Sequence, residues 1–371
     1  MRRRTATAHR PATPALTGAV IGMLVAVVGF TPAAAGPVPT SAGRPDCAGV
    51  VEAMTPRARL AQRLMVGVDV DDPVAAAEVV HDTQVGGIFL PGNGTALLED
   101  QALRALQAGA RIPVAVAVDD EGGRVQRVDM LDGDLPSARE MSSLGPDEVR
   151  ALAEQRGRQL AARGVTLDLA PVVDLGGQRN GAVIGDRSFG TDPAVVTRYA
   201  HAFADGLRAA GVGSLVKHFP GHGRADGDSH AGRVTTPPLD ELRGADLLPY
   251  TDLAGATGVM VGHLDVPGLT DGLPTSLTPA TYALLRDGYR YDGLVVTDDL
   301  GAMEAITGEF ELPDAARTAL AAGADMALWS NPADPGTVLD VLEPALTDGT
   351  LDPAASDAAV TRILRAKSAC T

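Results

Sequence analysis

Cysteine is scarce in this chain of 371 residues, which contains only Cys47 and Cys370. Neither lies near the histidine-rich stretch 217–230, so a zinc site with thiolate ligands is not indicated there. Neither stands just after the apolar N-terminal stretch 16–30, so the lipid attachment of a lipoprotein is not indicated either.

The sequence also lacks an apolar run long enough for a membrane span. The apolar N-terminal stretch 16–30 is shorter than the roughly 20 residues that such a span needs. Basic residues precede this stretch, and the small residues Ala33 and Ala35 follow it, which is the layout of a secretory signal. We predict that residues 1–35 are a signal peptide and that no membrane insertion remains after its cleavage. An uncleaved N-terminal anchor is the alternative.

Positive charge is in short supply: 31 Lys and Arg residues stand against 47 Asp and Glu residues, a formal net charge of −16. Removal of residues 1–35, with their four arginines, would change this charge to −20. A chain this acidic repels phosphate backbones, so no nucleic acid partner is expected. The charge suits a protein that stays soluble outside the cell.

Residues 36–46 are rich in Pro, Gly and Ser and are predicted to form a disordered lead-in. One large domain, residues 47–371, should follow it. In an exported protein Cys47 and Cys370 meet oxidising conditions, and a disulfide between them would join the two ends of this domain. Two free terminal thiols are the alternative.

Eight short apolar runs alternate with longer stretches that carry helix signals. Continuous apolar runs are typical of parallel strands that are buried on both faces. Helices are predicted over 149–164 and 192–211. The alternation predicts an α/β fold, a single-domain (β/α)8 TIM barrel; an open doubly wound sheet is the alternative. The runs are 63–69, 85–92, 112–123, 165–176, 212–221, 257–266, 292–300 and 323–330.

Polar side chains stand at the carboxyl ends of several runs. In a barrel these ends form the active-site face. Charge gathered at one mouth is costly for stability, so a polar ligand explains it better than folding does. The residues are Asp119, Glu121, Asp174, Lys217, His218, His263, Asp298 and Asp299.

The stretch 217–230, KHFPGHGRADGDSH, holds three of the chain's seven histidines. As a metal site it is poorly arranged, because Pro220 and Gly221 keep His218 and His222 off a shared helix face. A merely solvated loop would not need to continue directly from a buried strand.

Asp228 and His230 suit proton transfer better. Residues i and i+2 of an extended loop point the same way, so the carboxylate can bind one imidazole nitrogen and present the other to a substrate. Histidine titrates near neutrality, as a group that acts first as an acid and then as a base must. The glycines at 221, 223 and 227 would let this loop move.

The segment KHFPGHG-x4-DSH resembles the signature of family 3 glycoside hydrolases, in their β-N-acetylglucosaminidase branch. Segments 118–128, 184–190 and 295–303 resemble further signatures of this family, in family order. Together they extend over most of residues 50–370. The β-glucosidases of the family usually carry an additional α/β domain, for which a single barrel over residues 47–371 leaves no room. The resemblance therefore favours a single-domain β-hexosaminidase of the actinobacterial type.

The resemblance assigns roles by position. Asp298 matches the nucleophile that forms a covalent glycosyl–enzyme ester, His230 matches the acid/base, and Asp228 matches the residue that orients His230. Asp299 is the alternative nucleophile, but neighbouring strand residues face opposite ways and the family match favours Asp298. The positions that match substrate-binding residues are Asp119, Arg127, Arg187, Lys217 and His218.

Other residues near these motifs are open to more than one interpretation. Arg187 could form an ordinary ion pair with Asp186, and Lys217 could simply neutralise the acidic mouth. Asp120 replaces the Gln or His that is more usual in the family; it should add negative charge beside Asp119 and could alter the sugar contacts. Trp329 could line the sugar pocket or pack at the barrel rim. Glu121 and Arg124 are expected to be structural, and His263 to line the pocket without an assigned role.

The resemblance implies a retaining exo-β-N-acetylglucosaminidase that removes terminal, non-reducing, β-linked GlcNAc. Peptidoglycan fragments with a GlcNAc-β-1,4-MurNAc bond are the expected substrate. No cofactor or metal is implied, and we expect a monomer that is secreted or associated with the cell wall. The alternatives are a β-glucosidase or a phosphorylase of the same family, a carbohydrate-binding barrel without turnover, and a metallohydrolase.

Overall fold

The computed structural model describes residues 45–177, 182–253 and 257–371. The predicted signal peptide, residues 1–35, and most of the predicted lead-in, residues 36–46, lie outside these ranges. Eight parallel strands pair in chain order, and the last strand pairs with the first to close a barrel.

Every strand lies within one of the eight predicted apolar runs, so the predicted TIM barrel is confirmed and the open sheet is excluded. The runs are continuously apolar because one face of each strand points to the barrel axis and the other to the helices. The strands are β1 (Leu64–Gly67), β2 (Gly87–Phe89), β3 (Ala115–Val118), β4 (Leu167–Asp168), β5 (Gly213–Phe219), β6 (Gly258–Val261), β7 (Val295–Asp299) and β8 (Met326–Trp329).

Helices connect successive strands and cover the outside of the barrel. Within the described ranges, no helix is both long enough and apolar enough to cross a membrane. The helices are α1 (Cys47–Glu52), α2 (Pro56–Gln62), α3 (Pro73–Thr83), α4 (Ala102–Gln107), α5 (Asp129–Asp132), α6 (Ala138–Met141), α7 (Pro146–Arg163), α8 (Pro193–Ala209), α9 (Leu239–Arg243), α10 (Leu248–Leu253), α11 (Pro279–Ala283), α12 (Glu304–Thr307), α13 (Leu312–Ala322), α14 (Pro335–Thr347) and α15 (Pro353–Ala366).

The two helices that were predicted individually, 149–164 and 192–211, are present as α7 and α8. At the start of α8, the Asp192 side chain accepts a hydrogen bond from the Ala194 N–H, and proline occupies the first turn. At the end of α7, Gly164 adopts a left-handed conformation with φ of 99°. Local capping chemistry therefore sets these boundaries.

The barrel interior is filled by side chains that point inward from all the strands. Leu167 and Leu169, for example, point inward, whereas the intervening Asp168 is not part of this interior cluster. A second and larger apolar layer lies between the strands and the helices. The interior cluster contains Met65, Phe89, Ala115, Ala117, Leu167, Leu169, Leu215, Met260, Leu294, Val296, Met326, Leu328 and Ile363.

The two ends of the described domain lie together at the side of the barrel. Cys47 in α1 and Cys370 beyond α15 form a disulfide, with their Cα atoms 5.0 Å apart. Val51 of α1 packs in one small apolar cluster with Val360 and Leu364 of α15. The ends meet because β8 pairs with β1, so the helices beside these strands are neighbours.

Candidate active site

A cavity of about 510 Å³ opens at the carboxyl ends of the strands. Its inner wall includes the apolar side chains of Phe89, Leu169, Met260 and Leu328, which belong to the interior cluster. A larger groove of about 780 Å³ lies beside α1 and α2, so volume alone does not identify the site. The smaller cavity brings together all the residues to which the resemblance assigned roles: Asp119, Arg127, Arg187, Lys217, His218, Asp228, His230 and Asp298.

Two adjacent carboxylates, Asp298 and Asp299, border this cavity at the end of β7. Asp299 accepts hydrogen bonds from the N–H groups of Gly301 (2.8 Å) and Ala302 (3.2 Å). It also accepts bonds from the backbone N–H (3.1 Å) and the hydroxyl of Ser330. Asp298 accepts one from the Asp299 N–H (2.9 Å). Asp299 therefore holds the turn after β7, while Asp298 presents its carboxylate to the cavity.

The surroundings of Asp298 favour its ionised form. Burial alone would raise the pKa of this carboxyl group, but the imidazoles of His218 and His263 and the ammonium group of Lys217 lower it to about 2. The Asp299 N–H that binds its oxygen acts in the same direction. Asp298 is thus a carboxylate at any pH near neutrality, as a nucleophile requires.

Asp228 and His230 adopt the predicted arrangement. The Asp228 Oδ1 atom lies 2.8 Å from the His230 Nδ1 atom and also accepts a bond from the His230 N–H at 2.9 Å. These bonds outweigh the effect of burial and lower the pKa of Asp228, so the carboxylate accepts the Nδ1–H proton. The Nε2 atom of His230 is left to face a substrate, on a ring whose side chain is 62% exposed.

A buried cluster of opposite charges forms one side of the cavity. Lys217 Nζ lies 2.6 Å from an oxygen of Asp119 and 2.6 Å from an oxygen of Glu121. Arg187 binds Glu121 through two parallel hydrogen bonds of 2.7 and 2.8 Å. Arg127 lies farther from Asp119, at 3.8 Å. Both cations are therefore held in place by Glu121, which the sequence placed at a strand end and predicted to be structural.

The pKa shifts of this cluster follow from its pairing. Burial would raise the pKa of Glu121, but Arg187 and Lys217 lower it well below its usual range. Burial would lower the pKa of Lys217, but Asp119 and Glu121 raise it. Glu121 and Lys217 are therefore both charged at neutral pH. The side chain of Asp119 is 21% exposed and can accept hydrogen bonds from sugar hydroxyls.

His218 is oriented by Asp174, a fully buried carboxylate beyond the end of β4. The His218 Nδ1 atom lies 2.6 Å from the Asp174 Oδ2 atom. Its Nε2 atom points toward Arg187, with 3.5 Å between the two nitrogens. Burial would raise the pKa of Asp174, but His218 and His222 lower it. Asp174 was placed at a strand end by the sequence, but its role as an orienting residue was missed.

Several expectations about neighbouring residues need correction. Arg187 pairs with Glu121, whereas Asp186 binds Arg124 at 2.8 Å. Asp120 does not add charge beside the sugar, because it is fully buried and lies against Arg156 at 3.2 Å.

Two further residues are now placed by their contacts. Trp329 is fully buried and does not border the cavity, so the packing alternative is the correct one for this residue. His263 is also buried and does not line the cavity. Its Nδ1 atom lies 2.8 Å from the Ser276 hydroxyl and its Nε2 atom 2.9 Å from the Asp299 carbonyl oxygen. His263 therefore fixes the backbone at the end of β7 without bordering the cavity.

The three histidines of stretch 217–230 are not grouped as a set of metal ligands. In the part of the chain that the structure describes, no group of three or more His, Cys, Asp or Glu side chains could hold a metal ion. His218 binds Asp174, His222 lies against Ser229, and His230 binds Asp228. Each imidazole thus has its own hydrogen-bonding partner.

A barrel whose mouth combines the Asp298 carboxylate with a histidine bound to a second carboxylate offers groups of the kinds that glycoside hydrolases use. The comparison with known proteins agrees. The family described as "Glycosyl hydrolase family 3 N terminal domain" matches residues 55–366. The chain therefore belongs to glycosyl hydrolase family 3, and the predicted family and enzyme class are confirmed.

Similar proteins come from mycobacteria. The beta-hexosaminidase LpqI of Mycobacterium tuberculosis is 49% identical over 330 residues, which are 86% of this chain and 84% of that protein. The structure of M. tuberculosis LpqI has a TM-score of 0.84 at 48% identity, over 88% of this chain and 97% of that one. A family 3 glycosyl hydrolase from Mycobacterium smegmatis has a TM-score of 0.82 at 50% identity, over 85% and 98% of the two chains.

Because the pKa of Asp298 is low, we expect kcat/KM to be independent of pH on the acid side of neutrality. A depressed pKa stabilises the folded protein above the ordinary value of 3.8, and this contribution is lost only as the pH falls toward about 2. We expect kcat/KM for a substrate with an activated leaving group, which needs no proton from the enzyme, to stay level from about pH 6 to pH 4. A decline that fits an apparent pKa near 3.8 would contradict this prediction.

Proposed function

We propose that this protein is an exported, retaining exo-β-N-acetylglucosaminidase that acts on GlcNAc-β-1,4-MurNAc fragments of peptidoglycan. The observation that carries the proposal is the meeting of Asp298, His230 and the Asp119 cluster in one cavity. The similarity to beta-hexosaminidase LpqI over most of both chains supports N-acetylhexosaminides as the substrate class. Peptidoglycan, export after cleavage of residues 1–35, a monomeric state and a location at the cell wall or outside the cell are parts of the proposal.

The reaction would begin with attack of the Asp298 carboxylate on the anomeric carbon. As the glycosidic bond breaks, the Nε2–H of His230 gives its proton to the leaving oxygen, and an ester joins the sugar to Asp298. Asp228 holds the opposite ring nitrogen at 2.8 Å and stabilises the charged ring before this transfer. Water then attacks the ester, His230 takes its proton, and the configuration at the anomeric carbon is retained.

The buried cations suit neutral sugars. Lys217 is already paired with Asp119 and Glu121, and Arg187 is paired with Glu121. Because the charge of both cations is compensated, they attract an incoming anion such as phosphate only weakly. Sugar hydroxyls can both donate to the Asp119 carboxylate and accept from the cations. This balance favours water over phosphate as the second substrate.

We expect p-nitrophenyl GlcNAc to be cleaved at the same rate with and without phosphate, and GlcNAc to be the product. A p-nitrophenyl glucoside serves as the control for the sugar, and we expect slower turnover of this compound. Strictly phosphate-dependent release of a sugar 1-phosphate would replace hydrolysis by phosphorolysis. Release of GlcNAc from the disaccharide GlcNAc-β-1,4-MurNAc tests the peptidoglycan substrate separately, and no turnover of it would refute that part.

A further inference from the structure

The loop that carries Asp228 and His230 begins with a first segment, residues 221–223, which packs closely against the barrel. A Cβ atom at Gly223 would lie 2.0 Å from the carbonyl oxygen of Leu175, and one at Gly221 would lie 2.6 Å from the Cβ atom of Asp246. Close approach therefore requires glycine at both positions, which the sequence had associated with movement of the loop. The first segment therefore contacts the end of the barrel directly.

His222 stands between these two glycines and is 2% exposed. Its backbone N–H donates to the Oδ1 atom of Asp174 at 2.6 Å. Its Nε2 atom lies 3.0 Å from the hydroxyl oxygen of Ser229, which is 1% exposed. The Nδ1 atom is buried without a hydrogen-bonding partner in the described part of the chain. Because an unpaired buried N–H is rarer than an unpaired acceptor, we place the ring proton on Nε2, which donates to Ser229.

Ser229 is the residue between Asp228 and His230, so its contact acts directly on that pair. Its carbonyl oxygen accepts a hydrogen bond from the Ala305 N–H at 3.2 Å, and the His230 carbonyl accepts one from the Glu304 N–H at 3.4 Å. Ala305 and Glu304 belong to α12, which follows the strand that carries Asp298. The second segment of the loop, residues 228–230, therefore contacts α12 on one side and His222 on the other.

We propose that His222 is a positioning residue whose buried hydrogen bond to Ser229 holds the Asp228–His230 pair in place opposite Asp298. This inference rests on the acid/base role that the proposed function gives to His230. The His230 side chain is 62% exposed, so the backbone of residues 228–230 and the contact with Asp228 determine where its ring lies. Without the His222 contact the loop loses a buried anchor, while Asp298 and the Asp119 cluster keep their own partners.

The proposal predicts a selective loss of proton transfer in the His222→Leu and Ser229→Ala variants. We would measure kcat/KM on aryl N-acetylglucosaminides whose phenol leaving groups differ in pKa. A displaced acid should cost about 100-fold on the poorest leaving groups and little on the most activated ones, which leave without a proton. His222→Gln keeps an N–H near the position of Nε2, so this variant should recover much of the loss.

Two comparisons separate this proposal from a general structural effect. Ser356→Ala removes another buried hydroxyl, one that accepts a bond from Arg63 at 3.2 Å, and it should leave the leaving-group dependence unchanged. In the His222→Leu background, Ser229→Ala should add no further loss, because both changes remove the same bond. Losses that are equal on all leaving groups, or that add fully in the double variant, would overturn the proposal.

The same series distinguishes this proposal from the proposed function. His230→Ala should show the steepest dependence on leaving-group pKa of all the variants. If His230→Ala shows no such dependence, His230 is not the acid, and the proposed mechanism fails together with the inference. If His230→Ala shows it and the His222 and Ser229 variants do not, only the positioning role of His222 is refuted.

Discussion

The Asp298→Ala variant is expected to lose about 10⁴-fold or more in kcat, because no covalent intermediate can form without the carboxylate. Substrate binding should change much less, since Lys217, Asp119 and Glu121 hold one another independently of Asp298. Steady-state kinetics on p-nitrophenyl GlcNAc measures both effects. A variant that keeps a tenth of the activity would remove Asp298 from the role of nucleophile.

Direct labelling identifies the nucleophile without relying on a loss of activity. A 5-fluoro-GlcNAc mechanism-based inhibitor should trap the glycosyl–enzyme ester, and peptide mass spectrometry should place the label on Asp298. Asp299→Asn is the matched control, because it neutralises the adjacent carboxylate that binds Gly301, Ala302 and Ser330. We expect this variant to be less stable but still to be labelled at Asp298. A label on residue 299 of the wild-type protein would reverse the assignment.

The Glu121→Gln variant is expected to lower the free energy of unfolding by about 3–5 kcal/mol, because it removes the carboxylate partner of buried Arg187 and leaves buried Lys217 with Asp119 alone. Glu121 is 4% exposed, Lys217 is 2% exposed, and Arg187 binds both oxygens of Glu121. The amide keeps the shape of the carboxylate but removes its charge. KM should rise as well, since Lys217 and Arg187 line the cavity. Urea unfolding at pH 7 measures the first effect and steady-state kinetics the second.

An exposed pair provides the control for Glu121. Glu154 lies beside Arg158 on α7, where the arginine side chain is 59% exposed and water already solvates both groups. Glu154→Gln should therefore cost less than about 1 kcal/mol and leave KM unchanged. Equal losses of stability in the two variants would show that burial does not amplify the Glu121 contacts.

The fold was readable from the sequence because its signal is local. A strand that is buried on both faces must be apolar along its whole length, and eight such runs correspond to the eight strands of the barrel. The arrangement of Asp228 and His230 was also local, since two residues that are two positions apart in an extended loop share a side. The sequence also placed Asp119, Lys217, His218 and Asp298 at strand ends, which the barrel then brings into one cavity.

The partners of the charged residues depended on the tertiary structure. Glu121 binds Lys217 and Arg187, and these residues lie 96 and 66 positions along the chain. Asp120 is adjacent to Glu121 but lies against Arg156 instead, because its side chain points away from the cavity that Asp119 and Glu121 line. No local pattern shows which way a side chain points once a strand ends.

What the sequence determined by itself was therefore the barrel, the strand ends and the residue types available for chemistry, all of which follow from burial and short-range spacing. What only the tertiary structure decided was which charges pair: Asp174 with His218, Glu121 with two cations, and His222 with Ser229. The physical reason is that charges and polar groups buried at the end of a closed barrel must be satisfied by whichever partners the closure brings within reach.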